Sequence, residues 1–208
     1  MKKLILSTII TCLFVFNAQA QDEEKTNDED YNKWQARVRV VMVDPATYFY
    51  DNVDGIEVEL STAFAPEIDI TYFLSRKMSV ELMLTTSTHD VKIADGNNLG
   101  SISLLSPTLS LQHHFYSNDF KPYVGAGINY TSFYNEDAGD LNSIDYKNQV
   151  GYLIQAGLDY NLSEKWFINF DFKKVFLKTE VTANNDSTST AEVNVDPIII
   201  GFGVGMKF

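Results

Sequence analysis

Ser110 and His114 stand four residues apart in the stretch SPTLSLQHHFY. A serine beside a histidine is the pairing that acyl transfer uses, the imidazole taking the hydroxyl proton as the oxygen attacks. The spacing decides against it here. Residues four apart on one strand share a face but lie roughly 13 Å from each other, whereas a nucleophile needs its base within about 3 Å. His114 is expected to hydrogen-bond inside the protein, His113 to reach water at an interface, and His89 stands apart from both. The one cysteine, Cys12, lies in an apolar leader, so the mature chain offers neither a disulfide nor a thiolate ligand, and no metal or cofactor is expected. What remains is charge. Arg37, Arg39, Glu67, Asp69, Glu81, Asp159, Asp171 and Lys173 alternate with apolar residues along the chain. Ionised groups at a period of two belong to one face of strands and suit a polar interior rather than bond-making, so the chain is not read as an enzyme.

The leader itself is MKKLILSTIITCLFVFNAQA. Lys2 and Lys3 precede an apolar run from Leu4 to Phe16 that is shorter than the ~20 residues of a membrane-spanning helix, and the segment ends Ala18-Gln19-Ala20. Residues 1–20 are therefore expected to be a secretory signal peptide cleaved near Ala20. Residues 21–33 begin QDEEKTNDED, which has six acids and no apolar period, and are expected to form a disordered periplasmic tail. Loss of the leader leaves 14 basic against 28 acidic residues, moving the net charge from -12 to -14. Nucleic acid is excluded as a partner by repulsion from its phosphates.

From Trp34 onward the period of two dominates. It predicts eight strands over about 34–43, 63–74, 78–86, 103–116, 121–134, 147–160, 165–181 and 193–208. Three short turns, at Ser75-Arg76-Lys77, Ser117-Asn118-Asp119 and Asn161 to Glu164, alternate with long polar loops over about 44–62, 87–102, 135–146 and 182–192. An even strand number with short turns and both ends on one side is the wiring of an eight-stranded antiparallel outer-membrane β-barrel over residues 34–208.

The two faces say which way it is turned. Val38, Val40 and Met42 oppose Arg37 and Arg39; Ile68, Ile70 and Tyr72 oppose Glu67 and Asp69; Val80, Leu82 and Leu84 oppose Glu81; Tyr152, Ile154, Ala156 and Leu158 oppose Gln155 and Asp159. A water-soluble barrel would put the apolar face inside. Aromatics decide otherwise: Tyr72, Phe73, Phe115, Tyr116, Tyr123, Tyr160 and Trp166 flank the three short turns, with Trp34 and Phe208 level with them. One ring of amphipathic aromatics marks a headgroup interface, so the apolar face meets lipid and lipopolysaccharide and the charges face inward. The last strand, PIIIGFGVGMKF, sends Ile198, Ile200, Phe202, Val204, Met206 and Phe208 to lipid, while Gly201, Gly203 and Gly205 leave lumen space. Its terminal Phe208 resembles the recognition signal read by the outer-membrane assembly machinery. Pro66, Pro107 and Pro197 each delete a ladder hydrogen bond and are candidate sites for a lateral gap or a bulge. Lys174 would fall on the lipid face unless a bulge intervened.

FKPYVGAGINYTSF, over Phe120 to Phe133, resembles the OmpW family of small outer-membrane barrels, and SVELMLTTS, SPTLSLQHHFY and VDPIIIGFGVGMKF fit the same family in order. The resemblance implies a narrow, largely hydrophobic channel for passive passage of small, mainly hydrophobic molecules, with a sideways exit into the bilayer. It places the channel constriction at the positions of Met83 and Lys173, where relatives carry an aliphatic residue and a tryptophan. Lys173 departs from that pattern. An ammonium there calls for a wetted lumen or an ion pair, with Glu81 or Asp171 as expected partners. Five lumen carboxylates against Arg37, Arg39 and Lys173 predict a preference for cations in any ion flow. A closed barrel whose loops serve as a contact surface is the other reading of the same charges.

Overall fold

The alternation folds as its period dictates. In the computed structural model, which describes residues 32–45, 58–93, 98–137, 139, 143–183 and 190–208, the strands are β1 (Trp34–Asp44), β2 (Val58–Leu60), β3 (Ala63–Phe73), β4 (Met78–Ile93), β5 (Asn98–His114), β6 (Phe120–Tyr134), β7 (Ile144–Tyr146), β8 (Gln149–Asn161), β9 (Trp166–Phe176), β10 (Lys178–Ala183), β11 (Thr190–Asn194) and β12 (Ile198–Lys207). The expected signal peptide and nearly all of the acidic tail lie outside the described residues. Eight strands, β1, β3, β4, β5, β6, β8, β9 and β12, pair antiparallel in a closed circuit, β12 returning to β1. Closure leaves no open edge in the bilayer, where an unpaired backbone group has no water to bond. At the seam, Trp34 and Phe208 exchange backbone hydrogen bonds of 3.1 and 3.0 Å, so the last residue of the chain completes the last rung.

Two of the short turns are built alike, as LSRKM and LSEKW. In each the serine hydroxyl accepts a backbone N–H, Ser75 from Met78 and Ser163 from Trp166, both at 3.1 Å. At the opposite end the strands differ from their predicted lengths. β4 and β5 run on as a hairpin to Ile93 and Asn98 through most of the expected 87–102 loop, and β7, β10 and β11 form a separate small sheet out of the other loops and the adjoining ends of the expected seventh and eighth strands. These extensions lie beyond the lipid band, where the outward face needs no apolar residues and the two-residue signal fades. The seventh barrel strand ends at Phe176 rather than at 181. There Asp196 accepts the Leu177 N–H on its carboxylate at 2.7 Å, and its carbonyl accepts from Lys174 Nζ. No bulge intervenes: Lys174 keeps its rung opposite Ile198 and Ile154 and stays on the outer face, tied to that carbonyl.

Burial confirms the turned-out faces. Val40 is 63% exposed and its neighbour Arg39 is 1% exposed, an inversion that only a lipid-facing exterior tolerates. Trp34, Phe115, Tyr116, Phe120, Trp166 and Phe208 stand exposed around the short-turn end, with Trp34 packed on Tyr72 at 4.7 Å between ring centres and Phe120 on Tyr160 at 4.9 Å. Two expected belt members are not in it. Phe73 and Tyr123 point into the lumen and are buried, as the inward parity of Asp69 and Gly125 on their own strands requires.

Candidate functional site

The lumen has two halves of opposite chemistry. In the half nearer the short turns, the guanidinium of Arg37 donates to Asp69 at 2.9 Å, Glu81 at 3.0 Å and Asp159 at 3.2 Å, and also to the Thr71 hydroxyl. Arg39 meets Asp69 at 2.6 Å and Glu81 at 3.1 Å through Nη2, donates from Nη1 to the Asn169 amide oxygen at 3.0 Å, and lies 2.8 Å from Glu67 at Nε. The Nε contact is one of charge without hydrogen-bond alignment. Amides and hydroxyls take up the outer lone pairs. Gln112, Gln155 and Ser110 all donate to Glu81, Tyr123 donates to Asp171 at 2.6 Å, and Asn169 donates to Asp159 at 2.7 Å. The side chains of both arginines, Asp69, Glu81, Asp159 and Asp171 are 0% exposed.

Packing seals this half. A Cβ on Gly157 would fall within the Tyr123 ring, and one on Gly205 within the Phe167 ring, so the glycines facing the lumen are the space those aromatics occupy. Beneath them Lys121 Nζ lies over the Phe73 ring at 3.9 Å. Lys121 is a fourth buried base beside the three expected ones. Its signal was present in its spacing from Tyr123 and Gly125 on one face. Phe167 escapes notice in the same way, as an uncharged member of the charged face.

Above this network the lumen opens into a cavity. Met83, Lys173 and Glu67 line it at its deep end, each one inward position above a network residue, respectively Glu81, Asp171 and Asp69. Met83 packs in an apolar cluster with Leu153, Val175, Leu177 and Val195. Lys173 is ion-paired, at 2.8 Å to Glu67 and 2.5 Å to Asp171. Of its two expected partners, Asp171 holds it and Glu81 does not, because both arginines engage Glu81. Tyr146 lines the mouth, stacked on Phe133 at 5.5 Å, and burial pushes its phenol up to about 12, so it stays protonated at neutral pH. His89 also lines the cavity, with Ser61 O at 2.6 Å from its Nδ1.

Ser110 and His114 are not brought together. Ser110 donates to Glu81, and His114 Nε2 lies 2.8 Å from Ser79, buried under Phe73 and Tyr123.

The prolines mark two breaks in the wall. Pairing of β3 with β4 stops at Glu67 opposite Thr85, next to Pro66, and resumes through β2 at Leu60 opposite Val91. Pairing of β5 with β6 skips Ser106 and Pro107 between the Leu105 and Thr108 rungs without any register shift. Both breaks flank the β4–β5 hairpin. Pro197 makes no such break: it precedes β12 rather than lying within it, and its carbonyl accepts the Val175 N–H at 3.0 Å, continuing the seam with β9.

Comparison with known proteins agrees with this architecture. An uncharacterized outer-membrane protein, y4mB, of Sinorhizobium fredii is 40% identical over 84% of this chain and 80% of its own length. Outer membrane protein AlkL of Ectopseudomonas oleovorans is 27% identical over 99% of this chain and 97% of its own. The crystal structure of outer membrane protein OprG from Pseudomonas aeruginosa superposes with a TM-score of 0.77 at 26% identity, covering 85% of this chain and 96% of that one. The family model described as OmpW matches residues 33–208. A barrel with a lipid-facing exterior and relatives named for the outer membrane resides in the outer membrane, and this chain belongs to the OmpW family.

Proposed function

We propose that the barrel admits small, mainly hydrophobic molecules from outside the cell and releases them sideways through its wall. One observation carries this reading: an apolar cavity open at one end stands on a floor of buried ion pairs that blocks the other. A solute crossing that floor would have to separate charges in a water-poor interior, at a cost of several kcal/mol per ion. The wall is the easier way out, and the breaks beside Pro66 and Pro107 lie where the cavity is lined by Thr85 and Ser106. With the ion-paired floor in place no steady current is expected across a planar bilayer, and the cation preference implied by the carboxylates has no flow to act on. Outer-membrane lipid and lipopolysaccharide cover the apolar exterior, and the assembly machinery reads Phe208.

The test is uptake of a panel of small apolar molecules by cells with and without the protein. Faster entry with the protein, lost when Leu153→Trp fills the cavity, is the expected result; equal entry in all three strains would defeat the proposal. That outcome would favour a closed barrel acting through its loops, a reading for which the sealed ion-paired half is the specific support. Deleting Phe208 should lower the folded amount in the membrane, whereas Phe202→Leu should not. Equal yields would remove the assembly role.

A further inference from the structure

The cavity walls are not alike. Beside the apolar cluster that includes Met83 and Leu153 runs a strip of polar side chains on β5 and β6, Thr108 sharing a rung with Met83. Asn129 Nδ2 donates to Thr108 Oγ1 at 2.7 Å, Thr131 Oγ1 donates to Asn129 Oδ1 at 2.7 Å, and Ser106 Oγ lies 3.3 Å from Thr131 Oγ1. All four line the cavity, and Thr108, Asn129 and Thr131 are buried within the barrel. The skipped rungs at Ser106 and Pro107 account for one of these contacts, since Ser106 and Thr131 face each other where the backbone ladder lapses. They do not account for Asn129 and Thr108, whose rung is intact. A wall meant only for hydrocarbon would be cheaper to build from valine, which has the size of threonine and no hydroxyl to desolvate.

From this we infer that the cavity is selective for neutral amphiphiles, molecules with an apolar body and one hydrogen-bonding group such as a long-chain primary alcohol, with Thr108, Asn129 and Thr131 receiving the polar group. The inference rests on the channel reading above and names its substrate class. Hydroxyls both donate and accept, so the strip can exchange one internal bond for one to a guest without leaving a group unpaired. A net charge on the guest is disfavoured. Lys173 is already held between Glu67 and Asp171, so an anion meets two carboxylates and a cation has to displace a buried ammonium.

The experiment measures entry of 1-decanol and decane, with decanoate and decylamine alongside, into cells carrying the full chain and into cells lacking it. With the wild-type protein the facilitated entry of alcohol should exceed that of alkane roughly three- to tenfold, the equilibrium worth of one net hydrogen bond, and both charged analogues should trail the alcohol. In a triple variant, Thr108→Val with Asn129→Leu and Thr131→Val, the alcohol-to-alkane ratio should fall to near one. Thr131→Ser, which keeps the hydroxyl, should hold the wild-type ratio. Heat-modifiable gel mobility establishes that each variant is folded. A ratio unchanged in the triple variant, or a wild-type ratio of one, overturns the inference while leaving the channel reading intact. Equal entry of every compound with and without the protein overturns both.

Discussion

The two halves of the lumen spend their inward positions in opposite ways. Toward the short turns the inward residues are taken up in contact with one another: arginines on β1 reach carboxylates on β3, β4 and β8, and glycines give way to rings. Toward the loops the inward residues line a space instead. A narrow barrel of eight strands is therefore not open by default. An interior of this width is filled by its own side chains unless they are kept short or apolar on purpose. Stability should therefore be concentrated in one half and selectivity in the other, and substitutions can pull the two apart.

The largest effect is expected from Arg37→Met. It leaves Asp69, Glu81 and Asp159 short of a buried cation, and breaking such a pair costs on the order of 3–5 kcal/mol. The unfolding midpoint in urea, read by gel mobility in lipid, should fall accordingly; a midpoint within error of wild type would mean that the network is hydrated and the halves do not differ.

Lys173→Met comes next, at about 2–3 kcal/mol, the worth of hydrogen bonds to charged groups. Its loss is smaller because Glu67 and Asp171 both remain near Arg39. Lys173→Trp, which restores the residue type of the relatives, should destabilise at least as much, because Glu67 and Asp171 lose their ammonium and an indole has no charge to replace it. Improved stability in the same urea titration would show that the ion pair is dispensable at that level.

Gly157→Ala should cost roughly 1–3 kcal/mol through crowding of the Tyr123 ring. A second change, Tyr123→Leu, should recover part of that loss, and a double-mutant cycle with no coupling would show that the ring moves aside freely. Smallest of all in stability should be Leu153→Phe, within about 1 kcal/mol, since the added ring has cavity to enter. Its uptake of apolar solutes should nevertheless drop severalfold. If stability and uptake fall together, the separation of roles between the halves is wrong.

Strand faces, closure and the inward charges were legible because lipid, like a core, imposes a strict period of two. Arg37 and Val38 could be sorted by parity alone. Parity also held the answer for Phe73 and Tyr123, which an argument from aromatic composition had put in the belt; a count of rings near turns is blind to which side each ring takes. The partner of Lys173 was legible only in part. Parity sends Glu67, Glu81 and Asp171 all inward, and which one an ammonium reaches depends on how strands across the lumen are staggered, which no single segment encodes. The outer part of the β4–β5 hairpin reads as loop because polar residues such as Ser87, Thr88 and Asp90 interrupt the apolar period there. The polar strip on β5 and β6 was passed over because hydroxyls scattered along two strands carry no charge to draw notice.

The ion network also bears on the order of events during membrane insertion. Its contacts run across the lumen as well as along the wall: Arg37 of β1 reaches Asp159 of β8, and Lys173 of β9 reaches Glu67 of β3, strands that are not neighbours in the sheet. No hairpin taken alone satisfies its own charges, and a partly wound sheet would turn unpaired arginines and carboxylates toward hydrocarbon. The ion pairs of the short-turn half are thus complete only once the strands on either side of the seam between Trp34 and Phe208 are joined.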